Sequence, residues 1–376
     1  MMQIPLSQPD ITELEIDAVV SVLRSSRLSL GPKMEEFEGL MGEYIGVPQA
    51  VAVSSGTAGL HLCLLALGVG AGHEVIVPSF TFVAAANVIR YVGATPVFVD
   101  IEATTLNMDP AAVERAVTPR TRALLVVHTF GVPARMDALL AIARKHRLLV
   151  VEDACEAIGA EFDGRRVGAF GHAAVFAFYP NKQITTGEGG MVVTGDANLA
   201  REIKALRNQG RYDSDEWHQH SLLGYNYRLS EISAALGCAQ VERLEGILER
   251  REAVARRYRE MLGDESALVL PPRSIAGGRI SWFVYVLRLP ERLTQSQRDE
   301  AVREMGRRGV QCGRYFAPIH TQPAYAGVAV GQPLPVTERT SERTVALPFF
   351  TGMTEAQVGY VSRALGETLQ RVAGAS

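Results

Sequence analysis

Seven short apolar runs in the first 194 residues limit most strongly what this sequence can fold into. They lie at 50–53, 74–77, 96–99, 123–127, 148–151, 174–178 and 191–194. Most are separated by segments with a helical pattern, and this alternation is typical of parallel strands with helices on both faces of a sheet. We therefore predict an α/β fold built on a mostly parallel, seven-stranded sheet. The length of 376 residues, 47% of them hydrophobic, allows one large domain and a smaller one.

A second group of elements follows a long helical region that begins near Leu229. The patterns predict a strand at 282–289, a helix at 294–308, a strand at 310–316 and a last helix at 354–369. A Gly- and Pro-rich stretch at 327–335 is expected to form a mobile loop before the last strand. These elements predict a large domain over residues 1–249 and a small C-terminal α+β domain over residues 250–376.

The glycines at 68–72 resemble a dinucleotide-binding fingerprint. They follow a predicted helix and precede a predicted strand, however, whereas the fingerprint requires the reverse order. We interpret Gly68 as the C-terminal turn of the helix.

One lysine is placed where a catalytic amine is needed. Lys182 lies between the apolar run at 174–178 and the glycines at 187–190, in the segment FAFYPNKQITTGEGG. An amine attacks a carbonyl carbon only when it is unprotonated, and partial burial or a nearby cation makes that form available. Lys182 is our candidate for a Schiff-base lysine.

Two further segments carry groups that complement this lysine. Asp153 follows the apolar run at 148–151, so its carboxylate is expected in the crevice at the strand end. Ser55, Gly56 and Thr57 join a strand to a helix, where backbone N–H groups, hydroxyls and the helix dipole favour a phosphate. For this turn alone, helix capping is the commoner use of such residues. Together, the three segments have the parts needed to hold the phosphate, the ring nitrogen and the aldehyde carbon of pyridoxal phosphate.

On these segments the chain resembles the DegT/DnrJ/StrS family of nucleotide-sugar aminotransferases, which are fold-type I pyridoxal-phosphate enzymes. The resemblance runs nearly from end to end. It also rests on IPLSQPD (4–10), LSLGP (28–32), EVIVPSFTF (74–82), GATPVFVD (93–100), GYNYRL (224–229), YFAPIHTQPAY (315–325), LP (347–348) and GMT (352–354).

The resemblance implies a role for each cofactor-site residue. Lys182 would form the Schiff base and carry a proton between the donor carbon and the cofactor, while Asp153 would lie against the pyridine nitrogen. Phe82 would stack on the ring, although an aromatic residue at a strand end is by default expected in the core. Glu156 would lie near the phenolic oxygen, where it must be protonated or turned away. Asn226 would reach the phosphate of a neighbouring subunit's site.

Four further side chains are candidates for substrate contact: Tyr179, Arg228, Tyr315 and His320. Tyr179 stands where some members carry histidine. His320 lies in a segment that approaches the sugar in relatives, although a lone histidine is more often structural.

Ala177 departs from the family pattern, because many members carry a serine there that contributes to the phosphate site. Alanine cannot donate a hydrogen bond. The phosphate is therefore expected to rely more on Gly56, Thr57 and Asn226 of the partner subunit, unless water fills the gap.

The resemblance further implies a homodimer with shared active sites that moves an amino group from glutamate to a nucleotide-linked keto-deoxysugar in a ping-pong cycle. We favour amination at C4 over C3, although no residue separates these acceptors or a UDP, GDP or dTDP carrier. Three alternatives remain open: a pyridoxal-phosphate sugar dehydratase, an amino-acid lyase of the same fold and a non-catalytic cofactor-binding regulator. Members that remove a hydroxyl replace the lysine by histidine, so Lys182 argues against the first. A regulator would need a DNA-binding appendage or a damaged site, and this chain shows neither.

Composition excludes other classes of protein. A formal charge of −3, from 38 basic and 41 acidic residues, argues against a nucleic-acid partner. The arginine-rich run at 249–259 interleaves glutamates at helical spacing, which predicts a solvated, salt-bridged helix face.

Cysteine spacing and the N-terminal sequence predict a cytoplasmic protein with no membrane partner. No metal-like or disulfide spacing relates Cys63, Cys155, Cys238 and Cys312, so reduced core thiols are expected. The first residues lack the pattern of a signal peptide, and no apolar run reaches membrane-spanning length. His218 and His220 have no third ligand nearby in the sequence, so no metal site is predicted.

Overall fold

The computed structural model describes residues 2–263, 267–328 and 331–374. The strands, numbered in chain order, are β1 Gln49–Val53, β2 Glu74–Pro78, β3 Thr95–Val99, β4 Thr121–Val127, β5 Leu149–Asp153, β6 Glu161–Phe162, β7 Arg165–Arg166, β8 Ala173–Ala177, β9 Gly190–Thr194, β10 Gly278–Arg279, β11 Tyr285–Arg288 and β12 Thr344–Leu347.

The α-helices are also numbered in chain order. They are α1 Glu13–Leu23, α2 Pro32–Ile45, α3 Gly56–Ala66, α4 Ala84–Tyr91, α5 Pro110–Ala116, α6 Met136–His146, α7 Ala197–Arg207, α8 Glu231–Glu242, α9 Leu244–Leu262, α10 Gln295–Arg307, α11 Pro335–Ser341 and α12 Glu355–Gly374. None of the helices in the described ranges is both long enough and apolar enough to cross a membrane.

The large sheet confirms the predicted α/β fold. Its strands are ordered β1-β9-β8-β5-β4-β2-β3, and each coincides with one of the seven predicted runs. Strand β9 is antiparallel to both of its neighbours, and the other pairs are parallel. The carboxyl ends of β1, β5 and β8 therefore meet the start of β9 at one edge of the sheet. This edge brings Ser55, Asp153 and the turn that carries Lys182 together.

Both faces of the sheet are covered, as the apolar runs predict. Val51 and Val53 of β1 point into a core shared with α3, whereas Ala50 and Ala52 point into a second core shared with α2. Successive strand residues face opposite sides, so a run without polar interruptions requires a layer of helices on each side.

A second sheet organises the C-terminal part of the chain. Strands β11 and β12 pair antiparallel, and their side chains share a core with helices α9 and α12. Ile4 from the N-terminal segment also packs in this core. The domain boundary at 249/250 stays a prediction, and it falls inside helix α9.

Three sequence expectations for this region differ from the structure. The strand predicted at 310–316 is wrong: Val310 bridges to Ile4 while Gly313 bridges to Ala346, so no continuous ladder forms with one neighbour. The strand predicted at 282–289 is shorter and spans β11 only. The stretch at 327–335 leads into helix α11 before the last strand, and its residues 329–330 lie outside the described residues.

Two local predictions have clear outcomes. Gly68 follows helix α3 with a φ of +68°, and its N–H donates to the carbonyl of Leu65 at 2.9 Å, which confirms a helix C-terminal turn.

The arginine-rich face of α9 is only partly solvated. Arg256 and Glu260 form an exposed pair at 3.9 Å, but Arg251 is 2% exposed, contrary to the expectation of a solvated run.

Candidate active site

A cavity of about 330 Å³ lies at the edge of the large sheet where the strand ends meet. Nine of the residues proposed from the sequence line it: Ser55, Gly56, Thr57, Phe82, Asp153, Glu156, Tyr179, Lys182 and Tyr315. The topology brings them together although they span most of the chain.

The turn before α3 presents a helix N-terminus to this cavity. Ser55 is the N-cap residue, and its hydroxyl accepts a hydrogen bond from Ala58 N–H at 3.1 Å, so the capping role considered for this residue is real. The N–H groups of Gly56 and Thr57, in the first turn, have no partner within the helix. A Cβ atom at Gly56 would lie 2.8 Å from both Cys155 Sγ and Ala177 Cβ. Glycine is thus required for the turn to approach the strand ends this closely.

Lys182 projects its amine into an enclosed pocket with one anionic neighbour. Its Nζ atom lies 3.6 Å from Glu156 Oε1 and 4.1 Å from the ring centroid of Phe283. The side chain is only 13% exposed. The amine is therefore held by a carboxylate on one side and an aromatic face on the other.

Glu156 is buried and anchored by the backbone. Its Oε2 atom accepts a hydrogen bond from Phe130 N–H at 2.9 Å. Burial raises the pKa of this carboxyl group, and the nearby amine of Lys182 partly opposes the rise. The pKa is thus shifted in the direction that a protonated Glu156 beside a phenolic oxygen would require.

Asp153 ends strand β5 at the floor of the cavity. It is 9% exposed, and its Oδ1 atom accepts a hydrogen bond from Cys155 N–H at 3.2 Å. The backbone carbonyl of Asp153 accepts from His128 N–H at 3.1 Å. These bonds fix a carboxylate in a site largely withdrawn from water.

Two aromatic residues leave their rings accessible at the cavity. Phe82 is 60% exposed and Tyr179 is 52% exposed. The default expectation of core packing for Phe82 is therefore wrong, because the strand end leaves its ring outside the core. Its stacking on a cofactor stays a prediction. Tyr315 also lines the cavity, and burial followed by the neighbouring Glu156 charge raises the pKa of its hydroxyl.

Three predicted residues lie outside the cavity lining of this single chain. Asn226 is exposed, and the backbone of Asn226 bridges to Asn208. Arg228 donates a hydrogen bond to the side chain of Asn208 at 3.0 Å. His320 is held by Ser79, with Nδ1 to Oγ at 2.7 Å, which is the structural use of a lone histidine. Their roles in a site stay predictions.

Two residues from the C-terminal part of the chain that close the cavity were not predicted from the sequence. Phe283 and Phe316 line the cavity opposite the strand ends. Each lies in an apolar segment, and no sequence signal distinguishes a cavity wall from a core residue there. Cys155 was expected only as a core thiol, yet it also lines the cavity.

The residues present fit pyridoxal phosphate. A helix N-terminus that begins with glycine suits a phosphate, a buried carboxylate suits a protonated ring nitrogen, and an enclosed amine suits an aldehyde. Ala177 lines the cavity without a donor of its own. Gly56, Asp153 and Lys182, the three candidate anchors, therefore line one cavity.

The comparisons with known proteins agree with this chemistry. Residues 9–366 match the model of the DegT/DnrJ/EryC1/StrS aminotransferase family. GDP-perosamine synthase of Caulobacter vibrioides is 40% identical over 368 residues, which cover 98% of each protein. Among solved structures, DesV of S. venezuelae superposes with a TM-score of 0.90 at 38% identity and covers 99% of this chain and 100% of its own.

A second solved structure bears on the cofactor. The putative sugar aminotransferase Spr1654 from Streptococcus pneumoniae, in its PMP form, has a TM-score of 0.94 at 29% identity and covers 100% of this chain and 99% of its own. The same protein is also known in a PLP form. Family match, fold and site chemistry thus lead to one conclusion: the chain belongs to the DegT/DnrJ/EryC1/StrS aminotransferase family and is a pyridoxal-phosphate-dependent aminotransferase.

Proposed function

We propose that this enzyme transfers an amino group from L-glutamate to the C4 keto carbon of a nucleotide-linked deoxysugar in a ping-pong cycle. The observation that carries the proposal is the 40% identity to a GDP-perosamine synthase over 98% of both chains. The cavity supports it, because Lys182 and Asp153, our candidates for the Schiff-base lysine and the ring-nitrogen partner, both line it. A GDP-linked sugar is accordingly the first acceptor to test.

The residues of the cavity divide the work of this reaction. Pyridoxal phosphate, when bound, stabilises the electron pair that forms at the donor carbon and holds the amino group between the two halves of the cycle. The amine of Lys182 would remove a proton from the donor carbon and deliver it to the cofactor. Asp153 supplies the negative charge that favours a protonated ring nitrogen. Phe283, over the lysine amine, keeps water away from that atom.

The intact lysine also separates the alternatives. A histidine would be expected at position 182 in a sugar dehydratase of this family, and the chain has lysine. An amino-acid lyase would share the phosphate, acid and lysine anchors, but a keto-sugar would not regenerate its lysine-bound cofactor. The response to keto-sugars therefore decides between an aminotransferase and an amino-acid lyase.

We further propose a homodimer in which each cavity is completed by the other subunit. The cavity must accommodate the phosphate of the cofactor. It must also accommodate substrates that carry a carboxylate or a phosphate. Yet its described lining carries three acidic residues, Asp153, Glu156 and Glu188, and a single basic one, Lys182. Such a site needs further donors from outside this chain. The exposed Asn226 is the donor that we assign to the cavity of the partner.

Complementation between inactive variants tests the shared site. Lys182→Ala and Asn226→Ala homodimers are each expected to be inactive or weak, whereas mixed subunits should regain up to about one quarter of wild-type activity, since half of the dimers are hybrids with one intact site. Activity is measured after the two variants are unfolded and refolded together. Mixing Lys182→Ala with Asp153→Asn is the matched control, because those two residues serve the same cavity and no hybrid site is intact. Equal behaviour of the two mixtures would contradict the shared site.

The visible absorption spectrum of the purified enzyme tests the reaction itself. Glutamate alone should remove the absorption band of the lysine-bound cofactor, and one nucleotide keto-sugar from a panel should restore it. Restoration by a 4-keto but not a 3-keto sugar would support the proposed position. A band that glutamate leaves unchanged would contradict glutamate as the donor, and failure of every keto-sugar to restore it would favour the lyase.

We propose a cytoplasmic location for the enzyme. Its four cysteines are free thiols rather than disulfides, which suits a reducing compartment.

A further inference from the structure

We propose that Arg251 is a positioning residue for the catalytic lysine and that it acts through Phe283. Arg251 lies on helix α9, and 69 residues separate it in sequence from Lys182. The two are connected by a short chain of contacts: the guanidinium group, the backbone of Trp282 and Phe283, and the Phe283 ring against the lysine amine.

The surroundings of Arg251 are unusual for a charged side chain. It is 2% exposed, and no carboxylate in the described ranges lies within ion-pair distance of it. Its Nε donates to the carbonyl of Trp282 at 2.7 Å, one terminal nitrogen to the carbonyl of Phe283 at 2.7 Å and the other to Thr351 Oγ1 at 3.2 Å. Burial lowers the pKa of this guanidinium group to about 9.

Such an arrangement is costly to maintain. A cation buried without a carboxylate in contact loses its hydration. Arg251 regains hydrogen bonds to neutral acceptors, the face of the Phe349 ring at 5.0 Å and an attraction to the charge of Asp10. An apolar side chain of similar volume often fills such a space at less cost. The planar fork of arginine, however, can hold two successive carbonyl groups and a hydroxyl in fixed directions. The arrangement therefore indicates that the position of the Trp282–Phe283 backbone matters.

The backbone before Phe283 is held equally firmly from the opposite side. Ser281 N–H donates to the carbonyl of Gly131 at 3.0 Å, and the side chain of Gln183 donates to Ser281 Oγ at 2.9 Å. The approach is close, since a Cβ atom at Gly131 would lie 1.7 Å from the carbonyl oxygen of Ser281. The backbone is thus held on both sides, and the Phe283 side chain, only 2% exposed, packs with its ring centroid 4.1 Å from the amine of Lys182.

This position matters because the amine changes its charge and its bonding during the reaction. The ring at 4.1 Å and the Glu156 carboxylate at 3.6 Å hold Nζ between them. An aromatic face favours the charged form of a nitrogen and limits the directions in which it can move. Five other titratable groups, on Asp153, Cys155, Tyr179, Glu188 and Tyr315, lie in the same cavity lining. None of them is among the hydrogen-bond partners of Arg251, whereas the carbonyl of Phe283 is, so Phe283 is the most direct connection from Arg251 to the amine.

The test replaces Arg251 by lysine and follows the visible band of the holoenzyme as a function of pH. Arg251→Lys keeps a positive charge but cannot hold both carbonyl groups. We expect the midpoint of the band's pH titration to fall by about 0.5–1 pH unit, since the charged form of the cofactor-linked nitrogen loses its aromatic neighbour. We also expect kcat to fall about 10-fold while KM for the amino donor changes less than about twofold. The band titration needs no substrate, so its outcome does not depend on the proposed donor or acceptor.

Arg298 offers a matched control. It is a 4% exposed arginine that donates to the carbonyls of Ser341 and Thr344 and pairs with Asp299, away from the cavity lining. Arg298→Lys should lower thermal stability to a similar extent as Arg251→Lys and leave the titration midpoint unchanged. Equal midpoint shifts in the two variants would overturn the proposal, because they would show a general effect of loosened packing.

A double-mutant cycle tests the route through Phe283. Phe283→Leu alone should reproduce the midpoint shift, and adding Arg251→Lys to it should shift the midpoint no further. Additive shifts, or an unchanged midpoint in Phe283→Leu, would contradict the inference. If Arg251→Lys fails to fold, Phe283→Leu still tests whether the ring of Phe283 influences the amine of Lys182.

Discussion

Replacing Lys182 by alanine is expected to abolish amino transfer and leave the fold intact. In the mechanism that we propose, Lys182 has two tasks: it binds the cofactor covalently at rest and moves the proton during transfer. No neighbouring side chain can take over both, because the described cavity lining holds no second amine: its other titratable groups are carboxyl groups, a thiol and phenols, on Asp153, Glu156, Glu188, Cys155, Tyr179 and Tyr315. We expect kcat to fall by at least about four orders of magnitude. The residual rate is measured by single-turnover release of the amino sugar.

The small number of lysines makes this test unusually direct. The sequence contains only three others, Lys33, Lys145 and Lys204, and each pairs with a glutamate away from the cavity. Borohydride reduction of the wild-type enzyme should fix the cofactor to one peptide, the one that contains Lys182. Lys145→Ala serves as the control, since its amine is exposed and its loss should not change turnover. Turnover retained by Lys182→Ala, or label on another lysine, would refute the assignment.

The large sheet could be predicted from the sequence because its signals are local. Each apolar run is short, lacks polar interruptions and is followed by a turn, so strands buried on both faces are the one consistent reading. The region after residue 250 was harder, because its contacts are not local. The segment at 310–316 is apolar enough for a strand, but Val310 and Gly313 find different partners, Ile4 and Ala346. The sequence pattern of one segment does not show which other segments its backbone groups will hydrogen-bond to.

The same distinction applies to the site. Ser55, Asp153 and Lys182 could be found because each follows a strand end, and a parallel sheet brings strand ends to one edge. Phe283 could not, because an aromatic residue in an apolar segment has the same pattern whether it faces a core or a cavity. Arg251 was misread for a related reason: helical spacing of charges predicts which residues share a face, but not what packs against that face.

Asp153 is the residue whose loss should separate cofactor binding from catalysis. Asp153→Asn keeps the size of the side chain and the oxygen that accepts from Cys155 N–H at 3.2 Å, so the cofactor should still bind and the strand end should keep its shape. The change puts an amide NH2 group in place of the second carboxylate oxygen and so removes the negative charge. Without it, a protonated ring nitrogen loses the partner that stabilises it, and the electron pair formed at the donor carbon is held less well. We expect the rate of amino transfer to fall about 10²–10⁴-fold with little change in cofactor content.

The reason for so large an effect lies in the burial of the group. A carboxylate that is 9% exposed acts in surroundings where its charge is weakly screened, so water cannot replace it. Asp196→Asn is the matched control, because this aspartate caps helix α7 at the surface and asparagine caps a helix about as well. The two variants should bind cofactor alike and differ in the rate of proton removal from glutamate deuterated at the donor carbon. A near-normal rate in Asp153→Asn would remove the carboxylate from the mechanism, whereas a loss of bound cofactor would make Asp153 an anchor rather than the group that tunes the ring.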